Sequence, residues 1–292
     1  MLNGFSVDVE DWYHILNTHK APLEKDWDSL ESRVGRNVDI ILDLMDQYNV
    51  KGTFFWLGWL AERNKPTLLR CVKAGHEIAS HGYSHVLPSQ VGREKFQEDV
   101  SKAKKVLEDI SGKRVKGFRV AGFGIDQETL WVFDVLKQAG YKYDSSVFPL
   151  WITRDGNPRK MAANCQCPYV IQTHYGPLIE IPMPAVHMLG VRLFFFGGGY
   201  LRLTPINLIN WGINKLNNKD APAIVYMHPR EIDPDQPRLP LSVMRSFKYY
   251  VNIKNTVAKL RFLFENFNFA PLVKLVHIND KETVMFMNDK IQ

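Results

Sequence analysis

The apolar positions of this chain fall into short runs separated by stretches with a helical period. Residues 4–12 begin as a buried strand around Phe5, Val7 and Val9 and end in acid at Asp8, Glu10 and Asp11. Between 33 and 48, Val38, Ile41, Leu42 and Met45 recur at helical spacing, and Asn49 closes the segment. A second strand is expected at 52–57, then a helix at 65–74 stopped by Gly75 and a short strand leading to His81. A charged helix over 94–111 follows, ending at Gly112, then a strand at 115–119, a helix at 127–139 stopped by Gly140, and a strand at 141–144. Strand and helix alternate throughout, which predicts a parallel sheet or barrel.

From 148 to 218 the rhythm is lost. Prolines, glycines and aromatics dominate, with strand-like pieces such as 179–182, and the stretch reads as a long insertion shaping a site. Residues 189–196 are the most apolar; Arg192 and the following glycines break them, and they read as a core strand in first place or as an exposed lip touching lipid. A clean strand returns at 223–228 and ends on His228, an amphipathic helix is expected over 251–264, and 273–292 carries no clear signal. The expected organisation is a single domain over 1–292, with the insertion at about 148–218 and a helical extension at about 240–292.

Composition adds limits. With 292 residues, 45% of them hydrophobic, the chain can bury a large core. The net charge of +6 suits anionic partners such as acidic glycans or lipid phosphates, but no run of Lys and Arg is dense enough for a nucleic-acid binder. Cys71, Cys165 and Cys167 lack a zinc-ribbon spacing and fit reduced thiols in the cytoplasm. Residues 1–5 run straight into a strand, which points the same way, and no run approaches the length of a membrane span.

Polar residues end four of the expected strands: Asp8 with Glu10 and Asp11, His81 with His85, Arg119, and His228; Asp144 sits on a fifth. His81 and His85, four apart, would stand over one another on one helical turn, near enough to share a metal ion. Each residue alone could be a cap, a surface ion pair or a turn former. In parallel α/β barrels such strand ends converge on one face, so the set together predicts a site.

In these residues the chain resembles the polysaccharide deacetylases, the NodB-homology group of carbohydrate esterases. Val7-Asp8-Val9-Glu10-Asp11 is similar to the family's acidic motif, and His81-Gly82-Tyr83-Ser84-His85 to its paired-histidine motif. Arg119-Val120-Ala121, Tyr143-Asp144-Ser145-Ser146 and Val225-Tyr226-Met227-His228 correspond to the remaining three, so the likeness runs over about 4–232. Three features depart from it: the spaced acids in place of adjacent aspartates, Gly82 where Ser or Thr is usual, and Ala121 where the third motif has proline. Gly197-Gly198-Gly199-Tyr200 and His228-Pro229-Arg230-Glu231 look like the subgroup found in bacterial exopolysaccharide gene sets.

The resemblance implies an α/β fold, a distorted (β/α)7 barrel, and a metal-dependent hydrolase that removes N-acetyl groups from a saccharide. A divalent cation, zinc in first place, with cobalt, nickel or manganese also suited, would be held by His81, His85 and one carboxylate. Strand alternation puts Asp8 and Glu10 on one face, which makes Asp8 the base and Glu10 the ligand, with Asp11 as the alternative ligand. The resemblance further implies that His228 protonates the leaving amine, that Arg119 orients Asp8, and that Asp144 hydrogen-bonds His228. Trp12, Tyr13 and Tyr200 are candidates for stacking on the sugar, with Trp151 and His187 nearby in sequence, and His14 is a minor candidate ligand. The partner would be an N-acetylated saccharide, in a polymer or in a lipid-linked glycan reached at the inner membrane face. A metal-independent hydrolase of cyclic amides on the same barrel and a non-catalytic saccharide-binding protein are the two alternatives.

Overall fold

The computed structural model describes residues 1–18, 20–148, 166–188 and 190–276, together with the backbone of 284–286. Its strands are β1 (Leu2–Val9), β2 (Thr53–Trp56), β3 (Glu77–Ser80), β4 (Gly117–Phe118), β5 (Tyr143–Asp144), β6 (Tyr169–Thr173), β7 (Gly176–Glu180), β8 (Val186–Met188), β9 (Val191–Leu193), β10 (Ile224–Met227), β11 (Asn268–Ala270) and β12 (Val284–Phe286). The helices are α1 (Val34–Gln47), α2 (Gly58–Arg63), α3 (Lys65–Lys73), α4 (Pro88–Ser111), α5 (Trp131–Gln138), α6 (Gly198–Leu203), α7 (Ile206–Asn217), α8 (Val243–Tyr250) and α9 (Thr256–Asn266).

Ten strands form one sheet in the order β10-β1-β2-β3-β4-β5-β7-β6-β12, with β11 also beside β1. All neighbours pair in parallel except the β6–β7 hairpin, and the sheet curls into a distorted half-barrel. Strands β1, β2 and β10 are buried on both faces, as expected where helices cover a parallel sheet. Alternation sorts their side chains. Phe54 and Trp56 pack outward with α1 and α4 residues such as Met45 and Leu107, while Phe55 joins an inner cluster with Ala79, Tyr143, Met183 and Tyr226.

Three boundaries differ from the sequence reading. The stretch at 148–218 is only partly an insertion, because its β7 pairs with β5 and extends the main sheet. The helix expected at 251–264 starts later, as α9 at Thr256, because Asn252 takes a left-handed φ of 53° and parts it from a preceding helix, α8, that ends at Tyr250. The apolar run at 189–196 forms the exposed edge of β9 and then turns inward at Phe194, Phe195 and Phe196. Residues 149–165, which include Trp151 and Cys165, lie outside the described residues, as does most of 277–292.

At β4 the core leaves no room for a side chain on Gly117. A Cβ on Gly117 would stand 2.2 Å from the ring tip of Tyr143 on β5. Gly117→Ala should therefore lower stability by about 1–3 kcal/mol through strain in the core. The expected readout is a lower urea midpoint at unchanged m-value.

Candidate active site

The sequence sends β1 into the core as apolar residues and then reverses character at its C-terminal end. Asp8, Glu10 and Asp11 are each 3% exposed or less. Buried carboxylates need partners, and each finds a different one. Asp8 accepts from Arg119 Nη1 at 2.7 Å. Asp11 accepts from Ser32 Oγ at 2.6 Å and from the backbone N–H groups of Arg33 and Val34, which places it at the start of α1. Glu10 faces the histidines.

Glu10 Oε1 lies 2.9 Å from His85 Nε2, 3.2 Å from His81 Nε2 and 3.6 Å from His228 Nε2. Its other oxygen accepts from Arg230 Nη1. Burial alone would raise the Glu10 carboxyl, but His85, His228, Arg230 and His81 together hold it well below its ordinary value. His81 and His85 are not on a helix. They flank a tight turn after β3, in which Gly82 has a φ of 83° and His85 itself a φ of 55°, and their rings end 5.3 Å apart. Two N–H groups of this turn, on Tyr83 and Ser84, donate to the Asp99 carboxylate at 2.7 and 2.9 Å.

The donor set fits a divalent metal. His81 Nδ1 stands 2.8 Å from the Arg119 carbonyl, an acceptor only, so the ring proton must be on Nδ1. In the neutral ring this leaves a lone pair on Nε2 aimed at a carboxylate oxygen. Two acceptors face one another, and the space between them calls for a positive charge: a second ring proton or a metal ion. One ligand atom from each of Glu10, His81 and His85 lies within 4.8 Å of the others, close enough to bind one ion in common. The carbonyl under His81 Nδ1 is the kind of outer support that fixes a ligating imidazole.

His228 closes the other side. Its Nδ1 donates to Glu231 Oε1 at 2.9 Å. This corrects the expectation that Asp144 holds His228. Asp144 instead accepts from Ser146 Oγ at 2.7 Å and sits directly across the β5–β7 pair from Glu180. Glu180 Oε1 accepts from the Val147 N–H at 2.9 Å. Both carboxyls are fully buried, and each keeps one oxygen, Asp144 Oδ2 and Glu180 Oε2, with no donor among the described residues. That arrangement requires one shared proton. Burial pushes Asp144 up to about 6, and burial together with the Asp144 charge holds Glu180 well above its ordinary value.

Asp8, Glu10, His85 and His228 line one open cavity of about 800 Å³, whose further walls include Phe123, Tyr200, Arg230, Lys248 and Tyr249. Of the aromatic candidates, Tyr200 is on the wall and 41% exposed. Trp12 and Tyr13 are not on it. They are buried, Tyr13 packs on the Trp27 ring, and Trp12 Nε1 donates to the Glu31 carbonyl at 3.0 Å. His187 is exposed on the β8–β9 hairpin. His14 lines the cavity, but its Nδ1 accepts from the Asp11 N–H at 3.0 Å, so a neutral ring carries its proton on Nε2 and has no lone pair for a metal. Sequence reasoning missed Arg230, Glu231 and Glu180 as site residues. The first two follow His228 by two and three residues in a 3₁₀ turn, Pro229–Ile232, and that spacing was the available signal.

Comparison with known proteins follows the same lines. Residues 27–143 match the family described as polysaccharide deacetylase, and 145–277 match a domain of unknown function, DUF3473. The chain carries a polysaccharide deacetylase domain. It is 36% identical over 105 residues to a peptidoglycan-N-acetylglucosamine deacetylase of Bacillus cereus, which covers 35% of this chain and 46% of that protein. Identity to a peptidoglycan deacetylase of Helicobacter pylori is 28% over 150 residues, half of each chain. The chain thus spans half or less of the length of these relatives. A Mycobacterium smegmatis structure classed as a polysaccharide deacetylase superposes with a TM-score of 0.61 at 18% identity, covering 94% of this chain and 87% of the other. The Puue allantoinase superposes with a TM-score of 0.60 at 15% identity, covering 94% and 88%. At those identities the likeness speaks for the fold.

The Asp144–Glu180 pair has a direct test. Glu180→Gln replaces the shared O–H by an amide N–H and should cost less than about 1 kcal/mol, whereas Glu180→Ala strips Asp144 of its partner in a buried place and should cost about 3 kcal/mol. Chemical denaturation of the two variants at neutral pH reads the difference.

Proposed function

We propose that this chain is a metal-dependent N-deacetylase that hydrolyses the acetamido group of an N-acetylated saccharide to a free amine and acetate. The observation that carries the reading is the Glu10–His81–His85 cluster opening on the same cavity as Asp8 and His228. The deacetylase domain supports the reaction class. We assign Glu10, His81 and His85 as the metal ligands and zinc as the ion, since two imidazoles and a carboxylate suit it; cobalt, nickel or manganese would serve the same ligands. When bound, the ion polarises the scissile carbonyl and favours deprotonation of the attacking water.

The chain's own groups do the rest. Asp8, anchored through Oδ1 by Arg119, takes a proton from the water as its oxygen bonds to the acetyl carbon. His228 gives a proton from Nε2 to the sugar nitrogen as the C–N bond breaks, because an amide anion is too basic to leave. Glu231 on Nδ1 keeps the ring oriented with Nε2 toward the cavity. Arg230 fixes the Glu10 carboxylate from the side away from the histidines. Tyr200, at the cavity wall, is the residue we assign to stacking on the sugar. The substrate we favour is a glycan polymer or its lipid-linked precursor. We take the whole chain as one deacetylase unit, and the buried thiol of Cys71 supports a cytoplasmic setting.

Two predictions follow from these assignments. The parent should bind about one divalent ion per chain, and the His81→Ala, His85→Ala double mutant should bind none. Glu10→Gln should lower metal content, whereas Asp11→Asn should leave it intact and reduce stability by about 1 kcal/mol through the lost cap. Metal analysis beside thermal unfolding checks both, and equal zinc in parent and double mutant would sink the assignment.

Catalysis is tested by acetate release from N-acetylated oligosaccharides beside calorimetric binding. Asp8→Asn and His228→Ala should each reduce kcat by about 10²–10⁴ with little loss of binding. The double mutant should be little worse than the poorer single. A parent that binds saccharide and releases no acetate from any N-acetylated substrate would make the chain a binding protein.

A further inference from the structure

From 237 to 264 the chain carries six cationic side chains, Arg238, Arg245, Lys248, Lys254, Lys259 and Arg261, and no acidic one. That local excess equals the net charge of the whole chain, +6. Within this segment α8 has no buried residue at all. Val243 is 89% exposed, Met244 83% and Phe247 57%, a run of apolar side chains pointing into solvent.

The way α8 is attached is the reverse of the usual amphipathic arrangement, in which an apolar stripe faces the body. Arg202, buried on α6, donates from Nη1 to the Tyr249 carbonyl at 2.9 Å and from Nη2 to the Lys248 carbonyl at 3.0 Å. Arg245 Nη2 donates to the Leu16 carbonyl at 2.9 Å. Polar bonds hold the helix down and leave its apolar side chains free. On the adjoining α6, Leu203 is also 41% exposed.

We infer that α8 and its cationic flanks form a docking surface for an anionic lipid bilayer, with Val243, Met244 and Phe247 entering the headgroup layer. Apolar tips set in a field of like positive charge match a surface that is negative outside and apolar beneath. A protein partner fits less well, because the cores of protein interfaces are depleted in lysine. The opposite side of α8 lines the cavity through Arg245, Lys248 and Tyr249, so docking would hold the cleft beside the headgroups. That last step rests on the proposed deacetylase reading and extends it to saccharides presented at a membrane; the docking surface itself does not depend on it.

The test is sedimentation of the full chain with vesicles of phosphatidylcholine alone and of phosphatidylcholine mixed with phosphatidylglycerol. Partitioning should be at least about tenfold stronger to the anionic vesicles and should fall steeply with added salt. Met244→Ser with Phe247→Ser should cut it about tenfold or more while leaving the melting temperature and acetate release from a soluble substrate unchanged. Arg238→Gln with Lys254→Gln should weaken it and flatten the salt dependence. Asp8→Asn should partition like the parent, so loss of catalysis and loss of docking are read separately. Equal binding to both vesicle types, or partitioning untouched by the α8 substitutions, would overturn the inference. So would a self-associated parent in ultracentrifugation that those substitutions turn monomeric without altering vesicle binding, since α8 would then cover a second copy of the chain.

Discussion

A guanidinium with no access to water must be satisfied in every direction, and around Arg119 that requirement organises the site. Arg119 is 0% exposed. Its Nε donates to the Ser145 carbonyl at 3.0 Å, Nη1 to Ser6 Oγ and Asp8 Oδ1, and Nη2 to Ser145 Oγ, while its face lies over the Phe55 ring. Its own carbonyl takes the proton of His81. One residue at the end of β4 therefore fixes the position of Asp8 on β1, the tautomer of a histidine after β3, and the loop after β5. Removing one buried partner of such a cation leaves a charge that nothing else can answer.

The same logic explains why acids gather in a place where each would be costly alone. Glu10 is tolerated because three imidazoles and Arg230 surround it, and Asp144 and Glu180 because they can share a proton. The net effect is a site whose charges are set by one another, with little left to solvent. Its hydrogen-bond donors are thus aimed before any substrate arrives, which is how preorganised sites lower barriers.

Much of this was legible in the sequence, for physical reasons that differ by element. The β-then-α rhythm to residue 144 comes from burial on both faces of a parallel sheet, which writes apolar runs that periodicity can read. The strand-end residues Asp8, Glu10, His81, His85, Arg119 and His228 are legible as a set, because the ends of parallel strands converge on one face although each residue alone has other uses. The carboxylate beside His228 was not. Asp144 and Glu231 are equally plausible partners along the chain, and only the 3₁₀ turn after His228 brings Glu231 to 2.9 Å while β7 supplies Glu180 to Asp144. Trp12 and Tyr13 misled for a related reason. They follow the acids directly, but the chain turns at that point and folds both inward, Tyr13 against Trp27 and Trp12 against Tyr13. The paired histidines were read as a helical turn; a left-handed turn through Gly82 and His85 brings them together just as well.

The 3₁₀ turn after β10 has one more consequence. Arg230 grips the Glu10 carboxylate, and Glu231, the next residue, grips the His228 imidazole. The grip on the carboxylate and the grip on the imidazole thus share one peptide unit. A shift of that peptide by a fraction of an ångström moves both at once and in a fixed ratio. Selection or design cannot retune one without disturbing the other, so variation at 229–232 should come as whole-turn replacement more readily than as single exchanges.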